Sequence, residues 1–420
     1  MTRKEITTGV FYSEIEGNYK KSRLSIYLAS PLKRDNLTAT ALIPFLLERG
    51  TKEFPDMTLI KRKLNALYGA NLGTSYSCTG FKRVIDGYIE GVDERLVGEG
   101  SALSEERTKL LLDVLFSPAC ENGEFNGEWL NVEREKLREV IRAIINEKRD
   151  YCLKLLAENF FFADERSLPT DGFEEDLEGI TGKSLYCDYE QFIKDCTVEI
   201  IYVGKRSAGL EETLTKAFSG LERSSKPKKE LSPVPYGEEK STVISLPVEQ
   251  DKLALAFSCG RLLSEREMTA LRVGCSLLGG TATSRLFMNV REKMSLCYYA
   301  AARVSYRSGG GITIDCGIDH KNTKKARAAI MNELESLAKD GATEKELTEV
   351  KLLFRNILSS VRDTSGSLSG YCYTSIEKYG RIVMPEEELE IIESITNEEI
   401  MDVLKLLHLN ASSLIQKEDK

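Results

Sequence analysis

The sequence predicts an α+β protein with two homologous domains, each an antiparallel-rich sheet with helices packed on one face. Three observations predict this fold. The length of 420 residues exceeds that of one ordinary domain. The same order of strand and helix patterns occurs twice, and a polar segment with three prolines separates the two copies. A composition of 41% hydrophobic and 30% charged residues supplies enough apolar side chains for two cores.

The duplication begins with two short apolar strands, at residues 24–28 and 253–257. Each strand is followed by an apolar helix that ends at a Gly-Thr pair, Gly50-Thr51 in the first copy and Gly280-Thr281 in the second. The later elements then recur in the same order. We predict helices over 59–68 and 285–295, strand pairs over 70–79 with 82–92 and 297–305 with 311–318, long helices over about 127–161 and 343–380, and final strands over 198–203 and 413–415.

These repeats set the predicted domain boundaries. The N-terminal domain covers residues 1–224, the linker 225–239 and the C-terminal domain 240–420. The linker is placed where the chain becomes polar and rich in proline, which favours an extended connector.

Bulk composition excludes several classes of function. The net charge of −8, without a basic stripe, argues against a nucleic-acid partner. The apolar runs are far shorter than the ~20 residues that cross a bilayer, and the first residues lack the apolar core of a signal peptide. The ten cysteines are scattered without a C-x-x-C pair, which is typical of thiols in a reducing compartment. We therefore expect a cytoplasmic protein that does not bind membranes.

One stretch of the second copy carries a recognisable signature. It reads SRLF at residues 284–287 and REKMSLCY at 291–298. This stretch, with the duplicated halves, resembles the insulinase/pitrilysin-type metallopeptidases, whose signature is S-R-L-F…R-E-K-x-x-L-x-Y. The resemblance covers nearly the whole chain and implies the insulinase-like metallopeptidase fold.

Two segments of the first copy resemble a narrower bacterial subtype. They read RGTKEFP at residues 49–55 and LNALYGA at 64–70. Proteins of this subtype are encoded beside an intact zinc-binding relative, and some are associated with the 5-aminopentanol modification of elongation factor P. The resemblance thus implies a zinc-less partner subunit.

The zinc motif of the family is degenerate in this chain. Active members carry H-x-x-E-H on the first helix, where two imidazoles one turn apart bind zinc and the glutamate activates water. Those positions hold Ala41, Pro44 and Phe45, which offer no ligand and no base. The third ligand would lie within 142–145, which contains no carboxylate, although Glu139 and Glu147 flank it. We therefore expect no metal and no other cofactor.

The histidine count supports the same expectation. The chain contains two histidines, His320 and His408, which are far apart in sequence and have no second His or Cys at ligand spacing. We place His320 near a strand end and His408 on the penultimate helix, and interpret both as structural.

The resemblance also implies a surviving functional pair. Family members carry an arginine followed seven residues later by a tyrosine in the C-terminal half, and Arg291 and Tyr298 match that spacing. A guanidinium and a phenol can hold a peptide carbonyl and stabilise developing charge. Without the resemblance, both residues have ordinary structural interpretations, and the neighbouring Tyr299 leaves the register open by one residue.

Two functions remain open from the sequence. The first is a zinc-less subunit that forms a peptide-binding chamber with a zinc-bearing homologue and supplies Arg291 and Tyr298, acting on a peptide or small protein. The second is a non-catalytic binding or scaffold protein on the same fold. The chain is not expected to be a peptidase alone, and without its partner it could form a homodimer.

Overall fold

A computed structural model describes residues 3–98, 102–162, 164–205, 207, 209–224 and 229–418. The chain divides into two compact units that are each discontinuous in sequence. The first unit contains residues 1–142, 169–229 and 361–383, and the second contains 143–168, 230–360 and 384–420. Residues 225–228 of the predicted linker lie outside the described residues.

Each unit is built on one mixed sheet. The strands of the first unit are β1 (Lys4–Thr7), β2 (Val10–Glu16), β3 (Lys21–Pro31), β4 (Asn71–Thr79), β5 (Lys82–Val92) and β6 (Thr197–Gly204). Those of the second unit are β7 (Lys240–Leu246), β8 (Asp251–Ser258), β9 (Cys297–Val304), β10 (Gly311–Ile318) and β11 (His408–Lys417).

The helices recur in matching order along the two halves of the chain. The first half contains α1 (Leu37–Leu47), α2 (Met57–Ala66), α3 (Leu103–Phe116), α4 (Gly127–Ala143), α5 (Lys148–Phe160), α6 (Gly182–Asp195) and α7 (Leu210–Ser219). The second contains α8 (Glu265–Gly279), α9 (Thr323–Asp340), α10 (Glu344–Ser360), α11 (Ser365–Tyr379), α12 (Pro385–Ser394) and α13 (Asn397–Leu404).

The two sheets have the same strand order. The first runs β1-β2-β6-β3-β5-β4 and the second β7-β11-β8-β10-β9, so β2 corresponds to β7, β6 to β11 and β4 to β9. Each sheet contains one parallel pair, β2 with β6 in the first and β7 with β11 in the second. The remaining corresponding pairs are antiparallel in both sheets. The predicted α+β fold with two homologous, antiparallel-rich sheets is confirmed.

A layer of helices covers one face of each sheet, as predicted. In the first unit the side chains of Leu24, Ile26 and Leu28 on β3 enter a core shared with α1, α3 and α6. In the second unit α8 packs against β9 and β10. Long β3 is almost continuously buried, because both faces of its sheet are covered.

The opposite face of each sheet is covered by one helix from the other half of the chain. In the second unit α5 packs on β11, β8 and β7 through Cys152, Leu156 and Phe160, which are spaced four residues apart on one side of the helix. In the first unit α11 packs on β6 and β3, where Tyr373 stacks on Tyr27 with ring centroids 3.8 Å apart. Each unit therefore contains a helix that the predicted domains 1–224 and 240–420 assign to the other half.

The two predicted long helices are wrong at their centres. The helix predicted over 127–161 breaks at residues 144–147, between α4 and α5. The helix predicted over 343–380 breaks after Ser360, where a short 3₁₀ turn leads to Thr364, and the Thr364 hydroxyl caps α11 by accepting from the Ser367 N–H. Both breaks lie at the points where the chain passes from one compact unit to the other.

Candidate functional site

The three positions predicted to match the zinc motif lie on α1, which is buried on nearly all sides. Ala41 is fully buried and Pro44 is buried, whereas the side chain of Phe45 is 38% exposed. Pro44 has no N–H and so cannot donate to the carbonyl of Thr40 within the helix. Its own carbonyl accepts a 2.9 Å hydrogen bond from the Thr74 hydroxyl on β4. The helix thus presents an apolar surface at the three positions that were predicted to match the family's zinc motif.

The exposed Phe45 ring belongs to a group of side chains that contact one another beside α1. It contacts the ring of Tyr76 edge to face, with centroids 5.9 Å apart. The Tyr76 hydroxyl donates to a carboxylate oxygen of Asp171 at 2.8 Å, and burial raises the pKa of Tyr76, so this hydroxyl stays protonated. The Arg83 guanidinium lies 4.6 Å from the Tyr76 ring centroid and donates to the Thr170 carbonyl at 2.6 Å. These contacts occupy the space beside α1 with groups that already have partners.

The segment 142–145, where the third zinc ligand was expected, supplies no carboxylate either. Residues 142–145 form the end of α4 and the turn after it. Glu139 is exposed on α4, whereas Glu147 is the N-cap residue of α5 and belongs to the second unit. Within the described residues, no three or more His, Cys, Asp and Glu side chains are grouped so that they could hold a metal ion. The residues present do not fit the zinc ion of the active family members.

The two histidines are bound to other parts of the second unit. His320 follows β10, and its Nδ1 lies 3.2 Å from the Asp251 carboxylate. His408 is the first residue of β11, with its ring 5.5 Å from that of Tyr236. The sequence-based placement of His408 on a helix is wrong, because the last helix ends at Leu404.

Arg291 lies on an irregular helix before β9. Residues Leu286–Lys293 form a π-helix, a wide turn that is uncommon and is often found at functional sites. The Arg291 side chain is 37% exposed, forms a 3.5 Å ion pair with the adjacent Glu292, and lies 4.3 Å from the centroid of the Phe287 ring. An ion pair at this length and exposure is weak. The guanidinium can therefore leave Glu292 and bind a ligand with little loss of free energy.

Tyr298 lies at a bulge on β9, the outer strand of the second sheet. Gly317 of β10 pairs with Tyr299 and Ile318 pairs with Cys297, so Tyr298 is the one extra residue between them. Its side chain is 55% exposed. The π-helix packs against the same strand, which brings the predicted pair to one end of β9. Arg291 and Tyr298 make no hydrogen bond to each other in the described part of the chain.

Tyr299 has a different environment. Its ring lies 4.8 Å from the guanidinium carbon of Arg149 on α5, and its hydroxyl is buried without a hydrogen-bond partner. Burial raises the pKa of Tyr299. Arg149 in turn donates to the buried carboxylate of Asp315 at 2.6 Å. Of the two candidate tyrosines, Tyr298 is the one with an accessible side chain.

The sequence reasoning missed the apolar side chains around the pair. Met288 is 40% exposed and Met294 is 53% exposed, on the π-helix and just after it. Ser295 then adopts a left-handed conformation with φ of 52°, which turns the chain into β9. Methionines in helical patterns are usually core residues, and no signal in the sequence shows that a π-helix exposes these two. Flexible, exposed methionines are suited to binding apolar side chains of varied shape.

Comparison with known proteins agrees with this picture. The sequence model of the protein family described as the peptidase M16 inactive domain matches residues 179–354 of this chain. The probable inactive metalloprotease YmfF of Bacillus subtilis is 27% identical over 95% of this chain and 93% of its own length. The chain thus resembles the inactive metalloprotease homologues of the peptidase M16 type.

Solved structures of other proteins share the fold. A conserved protein from Enterococcus faecalis V583 matches all of this chain and 99% of its own, with a TM-score of 0.88 and 25% identity. The peptidase M16 inactive domain from Pseudomonas fluorescens covers 98% of this chain and 96% of its own, with a TM-score of 0.78 and 17% identity. M16 proteins often pair as heterodimers. No helix among the residues described here has the length and apolar character needed to cross a membrane.

Proposed function

We propose that this chain is the zinc-less subunit of a heterodimeric M16 peptidase in the cytoplasm. A zinc-bearing homologue would complete the peptide-binding chamber, and this chain would hold a peptide or small-protein substrate through Arg291 and Tyr298. The observation that carries the proposal is the exposed Tyr298 at the β9 bulge, with Arg291 on the π-helix that packs against the same strand. Bulges and π-helices interrupt regular pairing and are frequent at functional sites.

The chemistry of this region suits an extended peptide. β9 is the outermost strand on its side of the sheet among the residues that the structure describes, so its outer edge can pair with a peptide backbone. Arg291 and Tyr298 offer N–H and O–H donors to a peptide carbonyl, and Met288 and Met294 offer an apolar surface for a neighbouring side chain. Nothing in this set generates a nucleophile, which is why the proposal assigns bond cleavage to the partner.

The test begins with association. The chain is coexpressed with each H-x-x-E-H homologue from the same genome, and the copurifying pair is assayed for peptide hydrolysis. In that pair Tyr298→Phe and Arg291→Lys should each lower kcat/KM by about 10²–10³-fold, the usual cost of removing a positioned donor. Melting temperature and copurification should be unchanged, because the Tyr298 side chain is 55% exposed and the Arg291 side chain is 37% exposed with only a weak ion pair.

Tyr299→Phe is the matched control. It removes the same hydroxyl one residue further along, from a buried site where the hydroxyl has no partner, so turnover should be unaffected. If Tyr298→Phe and Arg291→Lys leave turnover unchanged while the pair still forms, the catalytic role is wrong and the scaffold function is favoured. A chain that copurifies with no zinc-bearing homologue contradicts the heterodimer itself.

A further inference from the structure

Cationic side chains of the second unit gather on the sheet face that α5 covers. The strands pair so that Lys252 on β8 lies opposite Gly317 on β10, and Gly317 lies opposite Tyr299 on β9. The Lys252 ammonium lies 5.4 Å from the centroid of the Tyr299 ring. The guanidinium carbon of Arg149, on α5, lies 4.8 Å from the same centroid. Two cations are therefore close to one aromatic ring.

One buried carboxylate lies among these cations. Asp315 on β10 is 3% exposed, and its carboxylate accepts from Nε of Arg149 at 2.6 Å. The same carboxylate accepts from the guanidinium of Arg303 on β9. In the described part of the chain, Lys252 has no carboxylate within ion-pair distance, and its ammonium donates to the Gln250 side chain at 3.2 Å. The cluster therefore carries an excess of positive charge.

This excess charge affects the ionisation of Lys252. Burial of the side chain, and then repulsion from Arg149, lower the pKa of Lys252. A carboxylate placed nearby would favour the ammonium form and act in the opposite direction. The cluster is therefore electrostatically suited to bind an anion.

The first unit contains a carboxylate at the corresponding position. Its strand β3 corresponds to β8, and Arg23 takes the place of Lys252. Arg23 pairs across the sheet with Glu90 on β5, and the two side chains form a 3.6 Å ion pair. In the second unit the residue opposite Lys252 is Gly317. The second unit thus lacks the carboxylate that balances the charge in the first.

A ligand can supply this carboxylate from the side of β9. The Tyr299 ring lies over Gly317, where an added Cβ would be 2.5 Å from Cε1 of the ring. The side chains of Arg149 and Arg303 are 40% and 52% exposed. Between Arg303 and Tyr299, the residue on the same strand face is Ala301, which carries only a methyl group. The guanidinium groups can therefore be reached from the outer edge of β9.

We propose that Arg149 and Arg303, with the positive charge of Lys252 beside them, form a binding site for a carboxylate of the peptide that pairs along β9. The inference rests on the proposed function for the peptide and adds its chemical class, an acidic peptide. Alternate side chains of such a peptide lie on the α5 face. An acidic side chain beside Ala301 is diagonal to Arg303 and within reach of its guanidinium. A peptide that ends there offers its terminal carboxylate to the same groups.

The first experiment measures the binding of four fluorescein-labelled peptides to the purified full chain by fluorescence anisotropy. The peptides are about eight residues long, enough for an added strand. They alternate valine with either glutamate or glutamine and end in either a free carboxylate or an amide. We expect the amidated glutamate peptide to bind at least about tenfold more tightly than the amidated glutamine peptide. This difference should shrink as the salt concentration rises.

The same peptides distinguish the two sources of a carboxylate. Binding that depends on the glutamates assigns the site to acidic side chains, and binding that depends on the free C-terminus assigns it to the terminal carboxylate. Either result supports a carboxylate site. Equal binding of all four peptides, or binding of none, overturns the inference.

Two variants test the cluster directly, with Arg23→Gln as the matched control. Arg303→Gln should weaken binding of the preferred peptide by about tenfold, because it removes a charge-assisted donor. Lys252→Met should weaken it by about threefold, since it removes a neighbouring charge and keeps an unbranched side chain. Arg23→Gln removes a cation that already pairs with Glu90, so the affinity should be unchanged. Circular dichroism verifies that each variant is folded, and unchanged affinity in both Arg303→Gln and Lys252→Met overturns the inference.

These results are separate from the test of the proposed function. The binding assay uses this chain alone, and its variants leave Arg291 and Tyr298 in place. If turnover of the paired subunits falls in Tyr298→Phe but all four peptides bind equally, the proposed function stands and the acidic specificity is wrong. If the glutamate peptides bind selectively but turnover does not respond to Tyr298→Phe, the catalytic role is wrong and the carboxylate site stands.

Discussion

The first and second units share a strand order but differ in where their side chains remain available. In the first unit the helix after β3 is α1, where Pro44 and its neighbours are buried and Phe45 begins a network that ends in paired groups. In the second unit the π-helix and the β9 bulge leave Arg291 and Tyr298 exposed. The corresponding strands follow the same order in both units. Among the candidate site residues that the structure describes, the accessible polar side chains are those of Arg291 and Tyr298, which lie where strand pairing is irregular.

The largest effect is expected where the two halves of the chain contribute to one unit. Tyr373→Ala in α11 should lower the free energy of unfolding of the first unit by about 3–5 kcal/mol, because it leaves a cavity against Tyr27. Tyr373→Phe should change it by less than about 0.5 kcal/mol, since the buried hydroxyl has no partner. The fluorescence of Trp129, the single tryptophan, reports urea unfolding of this unit.

Tyr298→Ala is the matched comparison for an exposed tyrosine in the second unit. Its 55% exposed ring should contribute less than about 0.5 kcal/mol to stability. A large destabilisation from Tyr298→Ala, measured by circular dichroism during urea unfolding, would show that the β9 bulge is structural and would remove the contrast between the two units.

Restoring the three zinc-motif residues tests whether α1 can accommodate them and bind zinc. Combining Ala41→His, Pro44→Glu and Phe45→His should destabilise the chain by about 1–3 kcal/mol, because an imidazole at the fully buried Ala41 overpacks the core. We expect metal analysis to find no stoichiometric zinc in this variant, since the third ligand is still missing at 142–145. One tightly bound zinc per chain in the triple variant would contradict this reading of the site.

A further small effect concerns the helix caps, where the two units differ in whether a capping side chain is charged. In the second unit Glu399 closes the capping box of α13, and hydrogen bonds from Arg266 and the Thr396 backbone lower its pKa to about 2. A carboxyl with a depressed pKa contributes stability above its unfolded pKa near 4.3, and the contribution is lost as the pH falls towards 2. Glu399→Gln should therefore cost about 0.5–1 kcal/mol at pH 7 and progressively less below pH 4.

A cap in the first unit serves as the control for that measurement. The capping box of α6 uses Thr181 and Ser184, neither of which titrates in this range. Ser184→Ala should lower the free energy of unfolding by a similar amount at pH 7 and at pH 3. Urea unfolding at the two pH values separates the cases, and an equal loss for Glu399→Gln at both would contradict the depressed pKa.

Much of the fold could be predicted because its strands alternate clearly. The predicted strands 82–92 and 311–318 coincide with β5 and β10. The breaks after α4 and α10 could not be predicted, because the apolar period of 3.6 residues continues on both sides of each break and nothing in it shows a change of packing partner. The parallel partners β2 and β7 were both missed. For β7 the reason is that Val243 and its alternate neighbours are exposed, so the strand lacks a continuous apolar pattern.

The candidate site was predicted only in part, for a related reason. The positions of Ala41, Pro44, Phe45, Arg291 and Tyr298 follow from matching a motif, so their identities could be read directly. Their surroundings could not, because Asp171 reaches Tyr76 from a distant loop and a bulge adds one residue without disturbing the alternation around it. The roles of Arg291 and Tyr298 stay predictions that the assay of the paired subunits decides.

The exchange of helices between the two halves has a consequence for synthesis on the ribosome. The last strand of the first sheet, β6, ends at Gly204, but α11, which covers the other face of that sheet, ends at Tyr379. The 175 residues from 205 to 379 take roughly 10–35 s to translate. During that interval the nascent first sheet lacks the helix that stacks on Tyr27. A nascent chain that stops at the linker would present an uncovered sheet face, a ready substrate for chaperones and proteases.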